Sequence, residues 1–259
     1  MSKTALITGA SSGIGLELAK VFARENYDLI ITARREEKLL DLKNELQTKY
    51  KIQVWVISGD LAESDIVEDI FNFVTEQDIE INVLVNNAGV GDYGLFIDSD
   101  WQRQHTMIQL NITALTKLTH LFLPMLSKQE RAYIMNVAST AAFQPGPLMS
   151  VYYASKHYVL AFSEALANEL NGTGVTVTTL CPGPTHSEFV EKANMQKSKL
   201  FDRFPVPDSR EVAEYGYKSM LKGKRVAVHG LPNKISSTIV GLFPRNMVTA
   251  VVRKIQERK

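Results

Sequence analysis

The chain has almost no cysteine. Cys181 stands alone among 259 residues, which excludes an intrachain disulfide and gives no support to a cysteine-built metal site. Charge of one sign is missing too. A formal net charge of +1 provides no overall field for nucleic acid or an anionic membrane. No apolar run is long enough to span a bilayer, and the nearest, Ile235 to Val252, is broken by Pro244 and Arg245. With a strand expected from about Lys3, no signal peptide is expected ahead of it. His105, His120 and His229 lack ligand-like spacing, and His157 and His186 suit the surface or plain packing, so no metal is expected. Linkers, repeats and low-complexity segments are absent. What remains, 45% hydrophobic and 22% charged, is the composition of a globular protein, and a cytoplasmic location is expected. The chain is expected to form one large domain, 1–259, with a sizeable core.

What is present is alternation. Apolar strands are expected at about 4–8, 28–32, 53–57, 82–86, 132–137 and 175–180, with a last short one at 225–229. Longer helical stretches separate them. Leu29-Ile30-Ile31 and Val83-Leu84-Val85 are continuously apolar, as strands covered on both faces should be. Strand and helix repeated in this way predict an α/β, Rossmann-type doubly wound, mostly parallel seven-stranded sheet with helices on both faces. Ligands in such sheets bind beyond the carboxyl ends of the strands, so those positions carry the functional reading.

The first strand runs into Gly9-Ala10-Ser11-Ser12-Gly13-Ile14-Gly15 and then a helix. Glycines let a phosphate approach the backbone, and a helix N-terminus offers free N–H groups and a positive dipole end. A tight structural corner is the competing explanation. After strand 2, Ala33 stands where a NAD site wants an acid, and Arg34 offers a planar fork suited to the extra phosphate of NADP. Solvated charges at a helix start are the alternative for Arg34 and Arg35. After strand 3, Asp60 reads first as a cap of the next helix. After strand 4, Asn86 and Asn87 either stitch the sheet or line a polar pocket.

Ser139 follows strand 5, and Tyr152 and Lys156 share a helical face four residues apart. A nearby ammonium favours phenolate, which makes a tyrosine usable for proton transfer near neutral pH. Tyr153, three residues from Lys156, is the decoy and is expected to point toward the sheet. Cys181 lacks an activating partner and is expected to be a buried apolar side chain.

Thr8-Gly9-Ala10-Ser11-Ser12-Gly13-Ile14-Gly15, Asn86-Asn87-Ala88-Gly89, Ser139, Tyr152-x-x-x-Lys156 and Pro182-Gly183 together resemble the short-chain dehydrogenase/reductase family, in the family's order, from about Lys3 to His229. The resemblance implies an oxidoreductase moving a hydride between NADP(H) and a carbonyl or secondary alcohol. Tyr152 would be the general acid/base. Lys156 would lower its pKa and bind the nicotinamide ribose. Ser139 would polarise the carbonyl, and Asn111, inside the helix after strand 4, would hold a relay water. Gly9, Ser11, Ser12, Gly13, Ile14 and Gly15 would surround the pyrophosphate. Arg34 would select NADP. Asp60 and Leu61 would flank adenine, and Asn87, Ala88 and Gly89 would line the cleft. Pro182, Gly183, Thr185 and Ser187 would contact the cofactor, with Ser187 standing where the family often has threonine. A homodimer or homotetramer is implied as well. The alternative is a non-catalytic NADP(H)-sensing protein on the same fold.

A substrate loop is expected at about 184–207, with Phe189, Val190, Met195, Leu200, Phe201 and Phe204. With Phe143, Pro145, Leu148 and Met149 they would wall an apolar pocket, or simply anchor the loop. The tail, about 234–259, is expected to be a helical hairpin around Pro244 that covers the pocket, packs on a partner or touches a membrane, the first two being favoured.

Overall fold

Strands that are apolar at successive residues need cover on both faces, and the fold supplies it. The computed structural model describes residues 3–63, 65–186, 188–189, 193 and 206–257. The strands are β1 (Lys3–Thr8), β2 (Tyr27–Ala33), β3 (Val54–Ser58), β4 (Ile81–Asn86), β5 (Ala132–Val137), β6 (Val175–Cys181) and β7 (Val226–Val228). They form one sheet in the order β3-β2-β1-β4-β5-β6-β7. All its pairings are parallel, where the sequence predicts a mostly parallel sheet. The sheet grows outward from β1 in one direction through β2 and in the other through β4. That switch point opens a crevice at the strand ends.

Helices α1 (Gly13–Arg24), α2 (Glu36–Tyr50), α3 (Ile66–Glu76), α4 (Trp101–Ile108), α5 (Leu115–Leu126), α6 (Ser150–Glu169) and α7 (Ser209–Leu221) flank the sheet. Alternate strand residues face opposite layers. Ala5, Ile7, Leu29 and Ile31 pack with Leu18, Phe22 and Val212 of α1 and α7. Leu6, Ile30, Leu84 and Ile134 pack with Ile70, Leu118 and Phe122 of α3 and α5. Phe22 meets the rings of Tyr27 and Tyr217 edge-on, each at 5.1 Å, and so ties α1, β2 and α7 together.

One local feature differs from the expectation. The helix after β4 is not continuous α-helix: a π-helical stretch, Gln109–Ala114, joins α4 to α5 and carries Asn111. Beyond β7 the chain forms α8 (Leu231–Ile239), a 3-10 turn at Val240–Leu242 and α9 (Arg245–Gln256), with the break at Pro244. The inner face of α9, Val248 and Val252, packs on Tyr93, Met149 and Tyr153. No helix among the described residues is long and apolar enough to cross a membrane.

Candidate active site

The β1–α1 corner is built by conformation and close approach. Gly9 and Gly13 have φ of +69° and +58°, which L side chains rarely adopt. A Cβ on Gly15 would fall 2.4 Å from both the Gly9 carbonyl oxygen and Asn87 Nδ2. Gly15 therefore lies packed beneath the loop and does not line the cleft. Ser12 caps α1 without a side-chain bond, and the first turn carries no acid. The N–H groups there are left facing a space that suits an anion. Asn87 Nδ2 donates to the Thr8 carbonyl at 2.8 Å, and the Asn87 and Ala88 amides donate to Thr8 Oγ1 at 3.0 and 2.9 Å. Asn86, by contrast, stitches the interior through Thr119 and Asn136.

At the β2 end the two arginines diverge. Arg34 pairs with Asp60 at 3.4 Å, and Asp60 Oδ1 accepts from the Ala62 amide at 3.0 Å. Asp60 thus closes a turn. The N-cap of α3 is Asp65, so the capping role expected of Asp60 is not found. Arg35 turns the other way, onto Ser11 and Glu188.

At the opposite end Ser139, Tyr152 and Lys156 converge. Ser139 Oγ accepts from the Ala141 amide at 3.1 Å and is hydrogen-bonded to Tyr152. Part of the Tyr152 ring faces the cleft, but its hydroxyl sits deep. Burial pushes the phenol up to about 12, against a hydrogen bond from Ser139 that pulls it down. Lys156 Nζ donates to the Val137 carbonyl at 2.9 Å and lies 5.9 Å from the Tyr152 ring centre. Burial holds its ammonium down at about 8. Ser139 is hydrogen-bonded to the Tyr152 hydroxyl, while Lys156 stands over the Tyr152 ring. Cys181 is fully buried and burial pushes its thiol up to about 12, which suits an inert side chain.

Asn111 does not line the cleft. The π-helical stretch aims it between two segments: Oδ1 accepts from the Val90 amide at 3.0 Å, and Nδ2 donates to the Val90 carbonyl at 2.9 Å and to Ser155 Oγ at 3.0 Å. A Cβ on Gly89 would come 3.2 Å from Asn111 Oδ1 and 3.4 Å from Lys156 Nζ, so the backbone after β4 runs tightly past both. Tyr153 turns away from the sheet, correcting its expected direction. Its hydroxyl accepts a hydrogen bond from Gln256 Nε2 of α9.

One cleft of about 480 Å³ joins the two ends. Gly9, Ser11, Ser12, Gly13 and Ile14 line it with Arg34, Arg35, Asp60 and Leu61, and Asn87, Ala88 and Gly89 form its middle. Ser139, Tyr152, Lys156, Pro182, Gly183 and Thr185 close the far end. Met149 and Phe189 add apolar wall there, with the Phe189 ring 5.4 Å from that of Tyr152. Phe143 packs instead around Cys181, away from the cleft. Ser187, Val190, Met195, Leu200, Phe201 and Phe204 lie outside the described residues. Sequence reasoning missed Val90, Leu110 and Gln144 in the lining, although Val90 directly follows Gly89 and was within reach. Gln256 gave no signal.

A glycine corner at the first βα turn, facing a serine–tyrosine–lysine cluster across one cleft, defines a dinucleotide-binding oxidoreductase. Residues 3–198 match the short chain dehydrogenase family, and the chain belongs to the short-chain dehydrogenase/reductase family, whose members bind a nicotinamide cofactor. It is 41% identical over 194 residues to a sulfoacetaldehyde reductase of Chromohalobacter salexigens, covering 73% of this chain and 75% of that protein. It is 31% identical over 222 residues to 17-beta-hydroxysteroid dehydrogenase type 3 of Mus musculus, covering 85% and 72%. A short-chain dehydrogenase from Sphingobium yanoikuyae, solved in complex with NADPH, superposes with a TM-score of 0.83 at 29% identity, covering 93% of this chain and 94% of that one. The cleft suits such a cofactor: its backbone runs tightly at Gly9, against Asn87 and Ala88, and at Gly89, against Asn111 and Lys156, with Arg34 and Arg35 at one end and Lys156 at the other.

Proposed function

We propose that the protein is an NADP(H)-dependent carbonyl reductase that also runs as an alcohol dehydrogenase. The convergence of Ser139, Tyr152 and Lys156 at the end of the cleft opposite the glycine corner carries this reading. When bound, the dinucleotide supplies the hydride for reduction or accepts it in oxidation. Tyr152 gives its hydroxyl proton to the carbonyl oxygen as negative charge develops there, and takes it back in the reverse direction. Ser139 donates a second hydrogen bond to the same oxygen. Lys156, anchored on Val137, keeps a cation close to the phenol and offers its remaining N–H groups to the ribose. Asn111 acts by clamping Val90 and α6, which fixes the helix that carries Tyr152 and Lys156.

Gly9, Ser11, Ser12, Gly13 and Ile14 hold the pyrophosphate at the start of α1. Arg34 and Arg35 select NADP, and the NADPH complex of the Sphingobium relative supports that choice. Met149, Phe189 and Tyr153 suit a ketone or aldehyde with an apolar body. The relatives' names range from sulfoacetaldehyde to a hydroxysteroid, and the apolar wall favours the latter kind of substrate.

A carbonyl panel read by NADPH absorbance tests the reading. On any substrate found, Tyr152→Phe should lower turnover by about 100- to 10,000-fold while NADPH still binds. Undiminished turnover by that variant would overturn the assignment.

A further inference from the structure

We propose that the outer face of the C-terminal helical pair, α8 and α9, docks on a lipid surface that bears anionic headgroups. Each of these helices has two sides. On α9, Val248, Val252 and Gln256 face inward and are buried, while Met247 and Val251 face solvent. On α8, Leu231, Ile235 and Ile239 repeat every fourth residue on the exposed side. The connecting turn adds Leu242 and Phe243. Leu231 is 70% and Leu242 81% exposed, and with Ile235, Ile239, Phe243, Met247 and Val251 they make seven exposed large apolar side chains between 231 and 251.

Charge identifies the occupant. From Gly230 to Gln256 the chain carries Lys234, Arg245, Arg253 and Lys254 and no Asp or Glu. The overall charge of +1 conceals this local bias. Arg253 shares its charge with Glu257, 3.5 Å away, just beyond the segment. Lys234 and Lys254 each stand three residues after an exposed apolar one, Leu231 and Val251, so they flank the stripe. A helix with an apolar stripe edged by cations lies in a membrane interface, with its basic side chains at the phosphates. Two copies of this face would instead set like charges together. A second exposed apolar group, Leu95, Phe96, Ile97 and Trp101, is interleaved with Asp98 and Asp100, the wrong sign for such lipid.

The inner side of the same helices packs behind the Tyr152 end of the cleft. Val248 and Val252 pack near Met149 and Tyr153, and a Cβ on Gly183 would meet Asn233 of α8 at 2.4 Å. Docking therefore sets that end of the cleft beside the lipid.

Flotation of the full chain with vesicles of phosphatidylcholine and phosphatidylglycerol in equal parts, and of phosphatidylcholine alone, tests the proposal. Binding should favour the anionic vesicles and weaken with salt. A basic residue near such a surface contributes about fivefold to partition, so Lys234→Gln with Lys254→Gln should lower it on the order of twentyfold. Leu242→Glu with Phe243→Glu should abolish it and leave the thermal transition in place, because both side chains are exposed. The proposal is overturned if wild type does not float with anionic vesicles or if the Leu242/Phe243 variant floats equally well. It is overturned too if light scattering shows a dimer that this variant dissociates and vesicles capture neither form, which would assign the face to a second copy. None of these readouts depends on turnover.

Discussion

Arg35 closes over the glycine corner: its Nη2 lies 3.1 Å from Ser11 Oγ and 3.3 Å from the Ser11 carbonyl oxygen. Arg34, the residue the sequence favours for cofactor choice, extends instead to Asp60 and is the more exposed of the two. A guanidinium already held against the loop loses less freedom on gripping a phosphate. Arg35→Ala should therefore raise KM for NADPH by about tenfold or more with little change for NADH, and Arg34→Ala should do less. Glu188 competes for the same cation, at 2.7 Å from Arg35 and 2.9 Å from Lys38. Glu188→Gln should lower KM for NADPH. Steady-state kinetics with both cofactors checks all three variants, and equal losses for NADPH and NADH in Arg35→Ala would remove it as the selector.

Burial holds Lys156 at about 8, against 10.5 for a free lysine. Between these values the unfolded chain binds a proton that the folded chain has lost, so this group makes stability rise with pH from about 8 to 10.5. Below that window both states are protonated and the full burial penalty, of order 3 kcal/mol, is present. Tyr152, raised by burial, acts in the opposite sense only above about pH 10. Lys156→Met should flatten the rise. Urea denaturation of cofactor-free wild type and variant at about pH 7 and about pH 10 measures it. A stability difference that is the same at both pH values would contradict the assigned shift.

The sheet was legible because its physics is local. Strands covered on both faces must be apolar at successive residues, and Leu29-Ile30-Ile31 and Val83-Leu84-Val85 are. Strand ends then pointed to Ser139, Asn87 and Asp60, which the fold brings to one cleft. What stayed hidden depends on side-chain direction. Sequence spacing could not show that Arg35 rather than Arg34 turns to Ser11. Nor could it show that Tyr153 faces α9, a segment 103 residues away in the chain. Asn111 was placed on a regular helix, and only the π-helical stretch explains why its amide reaches Val90 and Ser155 together.

That clamp makes Asn111 a test of positioning. Asn111→Ala removes three hydrogen bonds and strips Val90 of partners for both its amide and its carbonyl. The expected loss is about 2–3 kcal/mol, or roughly 5–10 °C in Tm for a chain of this length. Asn111→Asp keeps the acceptor for the Val90 amide but sets a carboxylate against the Val90 carbonyl, so it should not restore stability. Calorimetry of the two variants decides. An unchanged Tm in Asn111→Ala would show that the clamp adds nothing to the fold.

Gln256 reaches the substrate end of the cleft through one contact. It is buried, and its Nε2 donates to the Tyr153 hydroxyl while its backbone carbonyl accepts from Tyr93. The Tyr153 ring lies 6.0 Å from that of Tyr152 and lines the cleft beside Met149. Gln256→Leu keeps the volume and the backbone bond but removes the amide donor, leaving the Tyr153 hydroxyl without it. An uncompensated buried hydroxyl costs about 1–3 kcal/mol, which the ring can relieve only by moving. KM for a carbonyl substrate should rise several-fold, with kcat changed less and KM for NADPH unchanged, because the dinucleotide end rests on β1 and β2. Parallel rises in both KM values would mean that the substitution loosens the fold generally. A rise confined to the carbonyl substrate would make the C-terminal helix a wall of the substrate site.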